Sequence, residues 1–487
     1  MAGAMGPSRN TSAAPALLAC ALLVAACAGQ QPEREEKKRT VILSTEYHDQ
    51  RAGEETSEKI EAEMGIVQDP ALTAYVQEIG KRLVRYAPPR TFEYRFAIVD
   101  QPVPNAFALP GGYIYLSRGA VALANTEDEL ANVIGHEIHH SAARHAAAQQ
   151  ETARRSSAFL MPLLRFARLA AYGRDQERDA DMGGQILAAK AGYDPMGMAD
   201  FLQHLGNTER LAIGYSRLPG YFDTHPSTTE RVATTVGRAR DMEWERDPSR
   251  ETGPAAYLRN IEGVVLGPNP AEGIFRKNHF LHPDLDFQLS LPEGWQLLNT
   301  HQAVGAISPG GEARVFLMLD SDEPDAKKAA EAFFEKHAQE FRARLERGQP
   351  VKIGELDAYR IEIRARVGGL ATTAHITFIP YNGTTYRITG ATPAAAAAEY
   401  VGRTRNVARS FRPLSEADRT SFEILRLRVV EAEAGEDLAA LSARTGNSWD
   451  EGRTAVLNGL FHDARFEEGQ LVKIARAEPY LPGGSSD

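Results

Sequence analysis

Three residues in the segment Gly135–His140 have the types and the spacing needed to activate water on a metal ion. His136 and His140 are four positions apart, and Glu137 follows the first histidine directly. Because a helix turns by about 100° per residue, the two imidazoles lie roughly 40° apart on one face and one turn apart in height. Two imidazoles so placed can bind one zinc ion at about 2.0–2.1 Å each. Glu137 falls beside them, which suits a base acting on water better than a third ligand.

A helix is expected around this motif, from Thr126 to His145. Thr126 followed by Glu129 is typical of a capping box, and the segment is rich in Ala, Leu and Glu without a proline. His139 and His145 fall on other faces of this helix, so structural or supporting roles are expected for them. The motif taken alone leaves open the alternative that two histidines share a helix face by accident.

A hydrolytic zinc site needs a third protein ligand and an open position. Glu177 and Asp181 are four residues apart, so they share one helical face. Glu177 could complete a set of two histidines and one glutamate, while Asp181 could orient a ligand imidazole from behind. The spacing alone equally fits a solvated, charged helix face.

In combination, these residues resemble peptidase family M48, a group of zinc metallopeptidases. The resemblance rests on His136-Glu-x-x-His140 followed by Glu177-x-x-x-Asp181, and it covers about residues 55–265. It is closest to the bacterial periplasmic branch of the family. Further segments similar to the family are 105–115, Arg144-His145, 192–195, and Thr224-His225-Pro226 with Arg231.

The resemblance implies a mainly helical zincin domain of the gluzincin type with a small sheet. It implies one Zn²⁺ per chain, bound by His136, His140 and Glu177, with Glu137 as the catalytic base. In the periplasmic branch, the histidine that matches His225 can take the fourth position on zinc and hold the enzyme latent. His225 is therefore a candidate fourth ligand and regulator.

The same resemblance suggests which residues surround the metal. Asp181 and Arg231 are expected to support the ligands from behind. The segment from Ala106 contains a Pro-Gly-Gly turn followed by a short strand. Asn105, Ala106 and Ala108 are expected to form an edge strand to which an extended substrate adds by main-chain hydrogen bonds. An ordinary hairpin is the alternative.

Residues 1–27 have the pattern of a secretory signal rather than of a folded segment. The ending Val24-Ala-Ala-Cys27 resembles a bacterial lipobox, with Cys27 as the lipidated residue, whereas Cys20 is a poorer site and a plain signal peptide is the alternative. This predicts a periplasmic lipoprotein, anchored to the inner leaflet of the outer membrane. Residues 28–55, which are polar and charged, are expected to form a flexible tether.

Three domains are expected after the tether, which gives an α+β multidomain protein. The peptidase domain spans 56–265, where the apolar segment 159–169 is either a flap over the site or core. Residues 268–415 are predicted to form an α+β accessory domain that includes one helix over 326–345. Residues 424–478 resemble a LysM module of βααβ order, whose family binds peptidoglycan; a degenerate interaction module is the alternative.

The net charge excludes one class of function, and the family resemblance suggests another. The 487 residues carry a net charge of −10, which argues against a nucleic-acid-binding protein. We expect a zinc endopeptidase of the cell envelope that hydrolyses unfolded or misassembled envelope proteins, with water activated by zinc and Glu137. The alternative is a largely latent lipoprotein that acts as a chaperone or scaffold with peptidoglycan or outer-membrane assembly factors. Membrane contact is expected only through the lipid anchor.

Overall fold

The computed structural model of this chain describes residues 45–145, 172–211, 220–226, 229–250, 253–339, 341–367 and 369–483. Over these ranges, helices and four sheets alternate along the chain, which confirms the predicted α+β multidomain class. Within the same ranges, no helix combines the length and the hydropathy that crossing a membrane requires. The signal segment with Cys27 and the apolar segment 159–169 lie outside the described residues.

The helices of the described chain fall into three groups along the sequence. The peptidase region contains α1 Glu46–Met64, α2 Pro70–Val84, α3 Arg118–Leu123, α4 Glu127–Ala142, α5 Arg174–Lys190, α6 Gly197–Leu211, α7 Tyr221–Thr224, α8 Thr229–Asp241 and α9 Pro254–Ile261. The accessory region contains α10 Ala326–His337, α11 Ala397–Arg409 and α12 Glu416–Arg419. The C-terminal module contains α13 Leu438–Thr445 and α14 Glu451–Leu457.

The strands form four sheets. The peptidase sheet has the order β1-β3-β2, from Arg95–Val99, Tyr113–Ser117 and Ala106–Leu109. The large accessory sheet has the order β11-β12-β13-β14-β10-β9-β8, from Arg344–Ile353, Leu356–Val367, Leu370–Tyr381, Thr384–Pro393, Arg314–Ser321, Ala303–Ile307 and Gln296–Asn299. The smaller sheets are β15-β7-β6-β5, from Arg412–Pro413, Phe287–Ser290, His279–His282 and Ile274–Arg276, and β17-β16-β4, from Leu471–Pro479, Glu423–Glu431 and Val265–Leu266.

The helix α4 lies in the centre of the peptidase core. Thr126 caps its N-terminus by accepting a hydrogen bond from the backbone N–H of Glu129, as the sequence predicts. Leu130, Val133 and Ile134 form an apolar surface of α4 that is completely buried in the main hydrophobic cluster of the peptidase core. This apolar face holds α4 in the core against its neighbours, so the chemistry-bearing face is held at a fixed position.

The predicted edge strand is at the edge of its sheet. Strand β2 pairs only with β3 among the described strands, and all four of its residues are buried. Phe107 and Tyr115 stack on one face of the sheet at a centroid distance of 5.2 Å, in a cluster that includes Ile60 from α1. The opposite face, which includes Ala106 and Ala108, belongs to the same core as α4.

The C-terminal module has the βααβ order predicted from the sequence, and it shares a core with the peptidase domain. Leu427, Trp449 and Leu457 belong to the same hydrophobic cluster as the face of α4. The ammonium group of Lys473 is buried and donates hydrogen bonds at 2.9–3.0 Å to the carbonyl oxygens of residues 122–124, at the end of α3. The lysine, which lies on β17, thereby satisfies carbonyl oxygens that the end of a helix leaves unpaired. The likeness to LysM modules stays a prediction.

Three element boundaries differ from the expectations. The helix of the zinc motif ends at Ala142, before His145, and residue Arg144 has a positive φ of 57°. The helix predicted over 326–345 ends at His337, because the chain from Arg344 to Ile353 instead forms β11 and pairs with β12. Helix α1 begins at Glu46, so the predicted flexible tether is helical in its last ten residues.

Candidate metal and catalytic site

Two imidazoles of α4 face the same point, as the four-residue spacing predicts. The Nε2 atoms of His136 and His140 are 2.9 Å apart, and neither side chain is exposed. Burial lowers the pKa of both imidazoles, which keeps them neutral. Neutral imidazole is the form that binds a metal ion.

Glu177 reaches this point from α5, which crosses α4 at unusually close range. A Cβ atom at Gly184 would lie 2.6 Å from the backbone nitrogen of His136, so only glycine allows this approach. The contact brings the Oε1 atom of Glu177 to 3.3 Å from His140 Nε2. Burial raises the pKa of Glu177, but His225 and His140 outweigh this effect and lower it well below its ordinary value, so the carboxylate is ionised.

His225 is the fourth member of the cluster. It follows the short helix α7, and its Nδ1 atom lies 3.0 Å from Glu177 Oε1 and 3.3 Å from His136 Nε2. Its ring is completely buried and stacks on Tyr221 at a centroid distance of 4.4 Å. The sequence left the position of His225 open, and the structure places it among the ligand candidates.

The four side chains fit a zinc ion. Their donor atoms lie within 4.8 Å of one another. Neighbouring ligands of a tetrahedral zinc ion, at about 2.0–2.1 Å from it, are roughly 3.3 Å apart, and the shortest distances within the cluster are close to this value. Nitrogen donors with one carboxylate are also the ligand types that zinc prefers. With His225 included, however, all four positions of such a site are taken.

Glu137 lies beside the cluster rather than within it. Its Oε1 atom is 3.4 Å from the Nε2 atom of His225, and neither carboxylate oxygen has a hydrogen-bond partner of ordinary geometry among the described residues. Burial raises the pKa of Glu137 to about 7, while the charge of His225 acts in the opposite direction. A carboxylate with a pKa near neutrality can both accept and return a proton, as general acid–base catalysis requires.

A second layer of charge holds the ligands in place. Asp181 Oδ1 lies 3.0 Å from the Nδ1 atom of His136, on the side of the ring away from the cluster. Arg231 donates two hydrogen bonds to Asp181, at 2.7 and 2.8 Å, and its Nη1 atom is 2.7 Å from Glu177 Oε2. All three side chains are at most 4% exposed. One guanidinium therefore ties together the carboxylates that support and complete the ligand set.

Two tyrosines of the site were not identified from the sequence. Tyr172 stacks on His140 with a centroid distance of 3.8 Å, and its backbone N–H donates to the carbonyl oxygen of Thr224. Tyr221 donates its backbone N–H to Pro104, just before the edge strand. Both rings are almost completely buried. Their only sequence signal is proximity, since each lies within five residues of Glu177 or His225.

The remaining histidines of the motif region lie outside the cluster. The Nδ1 atom of His145 is 3.0 Å from His140 Nδ1, so it contacts the ring of a ligand candidate from behind. His139 instead contacts Asp179 at 2.8 Å, on the surface side of α5. Both positions agree with the supporting or structural roles expected for these two residues.

Gly184→Ala is expected to disturb the site without touching a ligand. The added methyl group must push α5 away from α4, so we expect a loss of about 1–3 kcal/mol in the free energy of unfolding, together with weaker zinc retention. Gly206→Ala is the matched control, because a Cβ atom there meets nothing within 4 Å. That substitution should stabilise the protein by about 0.5–1 kcal/mol. Urea unfolding and zinc analysis of both variants check the prediction, and equal behaviour of the two would contradict it.

Comparison with known families and sequences finds peptidases that are similar to part of this chain. The model of Peptidase family M48 matches residues 70–164 and 146–239. The chain is 33% identical over 199 residues to a putative beta-barrel assembly-enhancing protease of Vibrio cholerae, covering 36% of this chain and 40% of the relative. It is 29% identical over 201 residues to the beta-barrel assembly-enhancing protease of Escherichia coli K12, covering 36% and 41%.

A eukaryotic protein is also similar to part of this chain. The mitochondrial metalloendopeptidase OMA1 of Schizosaccharomyces pombe is 28% identical over 174 residues, covering 33% of this chain and 51% of the relative. The chain thus spans about half or less of the length of these relatives. The residues that the family model matches include the four-residue cluster and Glu137. The chain therefore carries a domain of peptidase family M48, a family of metal-dependent peptidases, within residues 70–239.

Proposed function

We propose that this chain is a zinc endopeptidase in which His136, His140 and Glu177 hold the metal and Glu137 moves the proton. The observation that carries the proposal is the buried cluster of two neutral imidazoles, His225 and an ionised carboxylate, with the Glu137 carboxylate next to it. A bound zinc ion would polarise the scissile carbonyl and lower the pKa of a water molecule. Glu137 then accepts the proton of that water and passes it to the leaving amine.

Substrate is proposed to bind as an extended strand along β2. This strand is the edge of its sheet and lies against α4, next to Glu137. An extended peptide at such an edge gains main-chain hydrogen bonds that do not depend on its sequence. Ala106 and Ala108 supply these groups in the proposal, whereas the backbone N–H and carbonyl oxygen of Asn105 are already hydrogen-bonded to Ser117. Recognition through the main chain suits unfolded proteins, which expose their backbone.

The candidate metal site is closed to solvent, which supports the proposal that His225 regulates the peptidase activity. The ligand candidates are at most 1% exposed, and Tyr172 and Tyr221 cover the rings of His140 and His225. A catalytic zinc site needs a free position for water or substrate. His225 must therefore leave the cluster before hydrolysis, and the segment from Tyr221 must move away from Pro104. The proposed enzyme is latent until this happens.

We propose that the protein acts in the bacterial cell envelope. The lipobox-like sequence before Cys27 supports a lipoprotein of the outer membrane that faces the periplasm. Two relatives are named for enhancing beta-barrel assembly. We propose unfolded or misassembled envelope proteins as substrates, with peptidoglycan or outer-membrane assembly factors as further partners. The buried, fully packed site also keeps a second candidate function open, a chaperone or scaffold whose peptidase domain stays latent.

Casein cleavage by the purified protein tests the proposal and separates the two functions. Wild type, His225→Ala and the control His462→Ala, which changes an exposed histidine, are assayed with zinc quantified in each. Removing His225 opens the fourth position, so we expect a higher rate than in wild type, whereas His462→Ala should behave like wild type. If all three bind zinc but none cleaves casein, the scaffold function is favoured. If none binds zinc, the metal site itself is wrong.

A further inference from the structure

The chain that follows α4 brings a further histidine behind one of the ligand candidates. If α4 continued as a helix to His145, as the sequence predicts, this residue would lie about 140° from His140 around the helix axis, and its ring would point away. The helix instead ends at Ala142, and Arg144 has a positive φ of 57°. The chain therefore turns back, and the Nδ1 atom of His145 lies 3.0 Å from the Nδ1 atom of His140.

The backbone conformation of Arg144 is held by contacts around it. A positive φ is uncommon for a residue other than glycine, because its Cβ atom crowds the backbone. The Nε atom of Arg144 lies 2.6 Å from a carboxylate oxygen of Asp49 on α1, a side chain that is 4% exposed. Conformations of this kind persist where the surrounding structure fixes them, and they are frequent at functional sites. The ion pair with α1 thus helps to place His145.

The contact between the two imidazoles determines which nitrogen carries each proton. The Nε2 atom of His140 points into the candidate metal site, 3.3 Å from Oε1 of Glu177. A nitrogen that binds a metal ion uses its lone pair, so the ring proton of His140 is on Nδ1. His145 Nδ1 is then the acceptor, and the proton of its own ring is on Nε2. A carboxylate oxygen of Asp179, 3.7 Å from this Nε2 atom, favours the same arrangement.

The N–H group of His140 is shielded from water. The side chain of His140 is completely buried, and Tyr172 stacks on its ring at a centroid distance of 3.8 Å. The side chain of His145 is itself 13% exposed. Among the described residues, His145 is the acceptor that reaches this N–H. A buried donor without an acceptor is costly, so His140 depends on His145 for this hydrogen bond.

The two histidines of α4 are supported by groups of different charge. The Nδ1 atom of His136 faces the carboxylate of Asp181, which Arg231 holds in place. The Nδ1 atom of His140 faces an uncharged ring instead. Hydrogen bonds to charged acceptors are the stronger ones. His140 is therefore the ligand candidate whose orientation rests on one neutral contact.

We propose that His145 is a positioning residue of the metal site. It accepts the hydrogen bond from Nδ1 of His140, and this bond fixes the tautomer and the ring orientation that direct Nε2 to the metal. The inference rests on the proposed function, because it takes His140 as a zinc ligand. His145 acts through His140, so its effect is on zinc affinity. Partners of this kind typically contribute about 10–100-fold to metal affinity.

Competition for zinc between the purified full-length protein and a chelator that changes colour tests the proposal. His145→Phe keeps an aromatic ring but removes the acceptor, so we expect zinc affinity to fall about 10–100-fold. In His145→Asn, the Oδ1 atom takes the position of Nδ1 and can accept the same hydrogen bond, so zinc affinity should stay close to that of wild type. A role in packing alone predicts the opposite order, because phenylalanine fills the space of histidine better than asparagine does.

His139→Phe is the matched control, with the same substitution six residues earlier in the chain. His139 also contacts Asp179, at 2.8 Å, but the described contacts do not join it to the ring of a ligand candidate. Its zinc affinity should equal that of wild type. Wild-type affinity in His145→Phe, or weaker binding by His145→Asn than by His145→Phe, would overturn the role of His145 and leave the proposed function standing. A wild-type protein that binds no zinc would overturn both.

Discussion

Replacing Glu137 by glutamine is expected to lower kcat for peptide hydrolysis by about 10²–10⁴-fold while zinc stays bound. Glutamine keeps the size of the side chain but cannot accept the proton of the attacking water. Glu137 lies next to the ligand cluster and outside it, so the metal site should be unaffected. Casein cleavage and zinc content are measured on the same preparations, in the His225→Ala background if wild type is latent.

Glu78→Gln is the matched control for this substitution. Glu78 lies on α2, half-exposed, in an ion pair with Arg82, and it should change neither zinc content nor cleavage. Full activity of Glu137→Gln would show that another group moves the proton. Loss of zinc in that variant would instead assign Glu137 to the metal.

Arg231→Gln is expected to lower the free energy of unfolding by about 3–5 kcal/mol and to weaken zinc retention about 10–100-fold. The substitution leaves the carboxylates of Asp181 and Glu177 buried without their shared cation. Asp181 also holds the ring of His136, so its displacement loosens a ligand. Urea unfolding and competition with a zinc chelator measure the two effects.

Arg178→Gln provides the comparison, since Arg178 on α5 also forms ion pairs, with Asp175 and Glu230, but its side chain is about half-exposed. Exposed pairs contribute about 0–1 kcal/mol, so this variant should resemble wild type. Adding Asp181→Asn to Arg231→Gln should restore part of the stability, because the unpaired charge is then removed. A loss in Arg231→Gln no larger than that in Arg178→Gln would contradict the role given to Arg231.

The ligand geometry follows from local rules, which is why the sequence predicts it well. The four-residue spacing of His136 and His140, and the capping by Thr126, depend only on helix geometry. The spacing of Glu177 and Asp181 indicated that they share a helix face, but not that this face packs against the two histidines of α4. The close contact at Gly184 decides this, and its sequence signal is only a pair of glycines in a helix.

Features that depend on long-range contacts were not predictable. Lys473 occupies a strand position next to Val472 and Ile474 that a local pattern assigns to solvent, yet it is buried against the end of α3. Segment 338–345 has good helix formers, but pairing of β11 with β12 ends the helix at His337. In both places tertiary contacts outweigh local propensity.

X-ray absorption at the zinc K-edge of the purified protein identifies the atoms that bind the metal. We expect one zinc ion per chain with nitrogen and oxygen donors at about 2.0–2.2 Å, including at least two imidazoles. His140→Ala should lose this signal. Sulfur donors at about 2.3 Å, or an imidazole signal that persists in His140→Ala, would contradict the assignment of His136, His140 and Glu177 as the metal-binding residues.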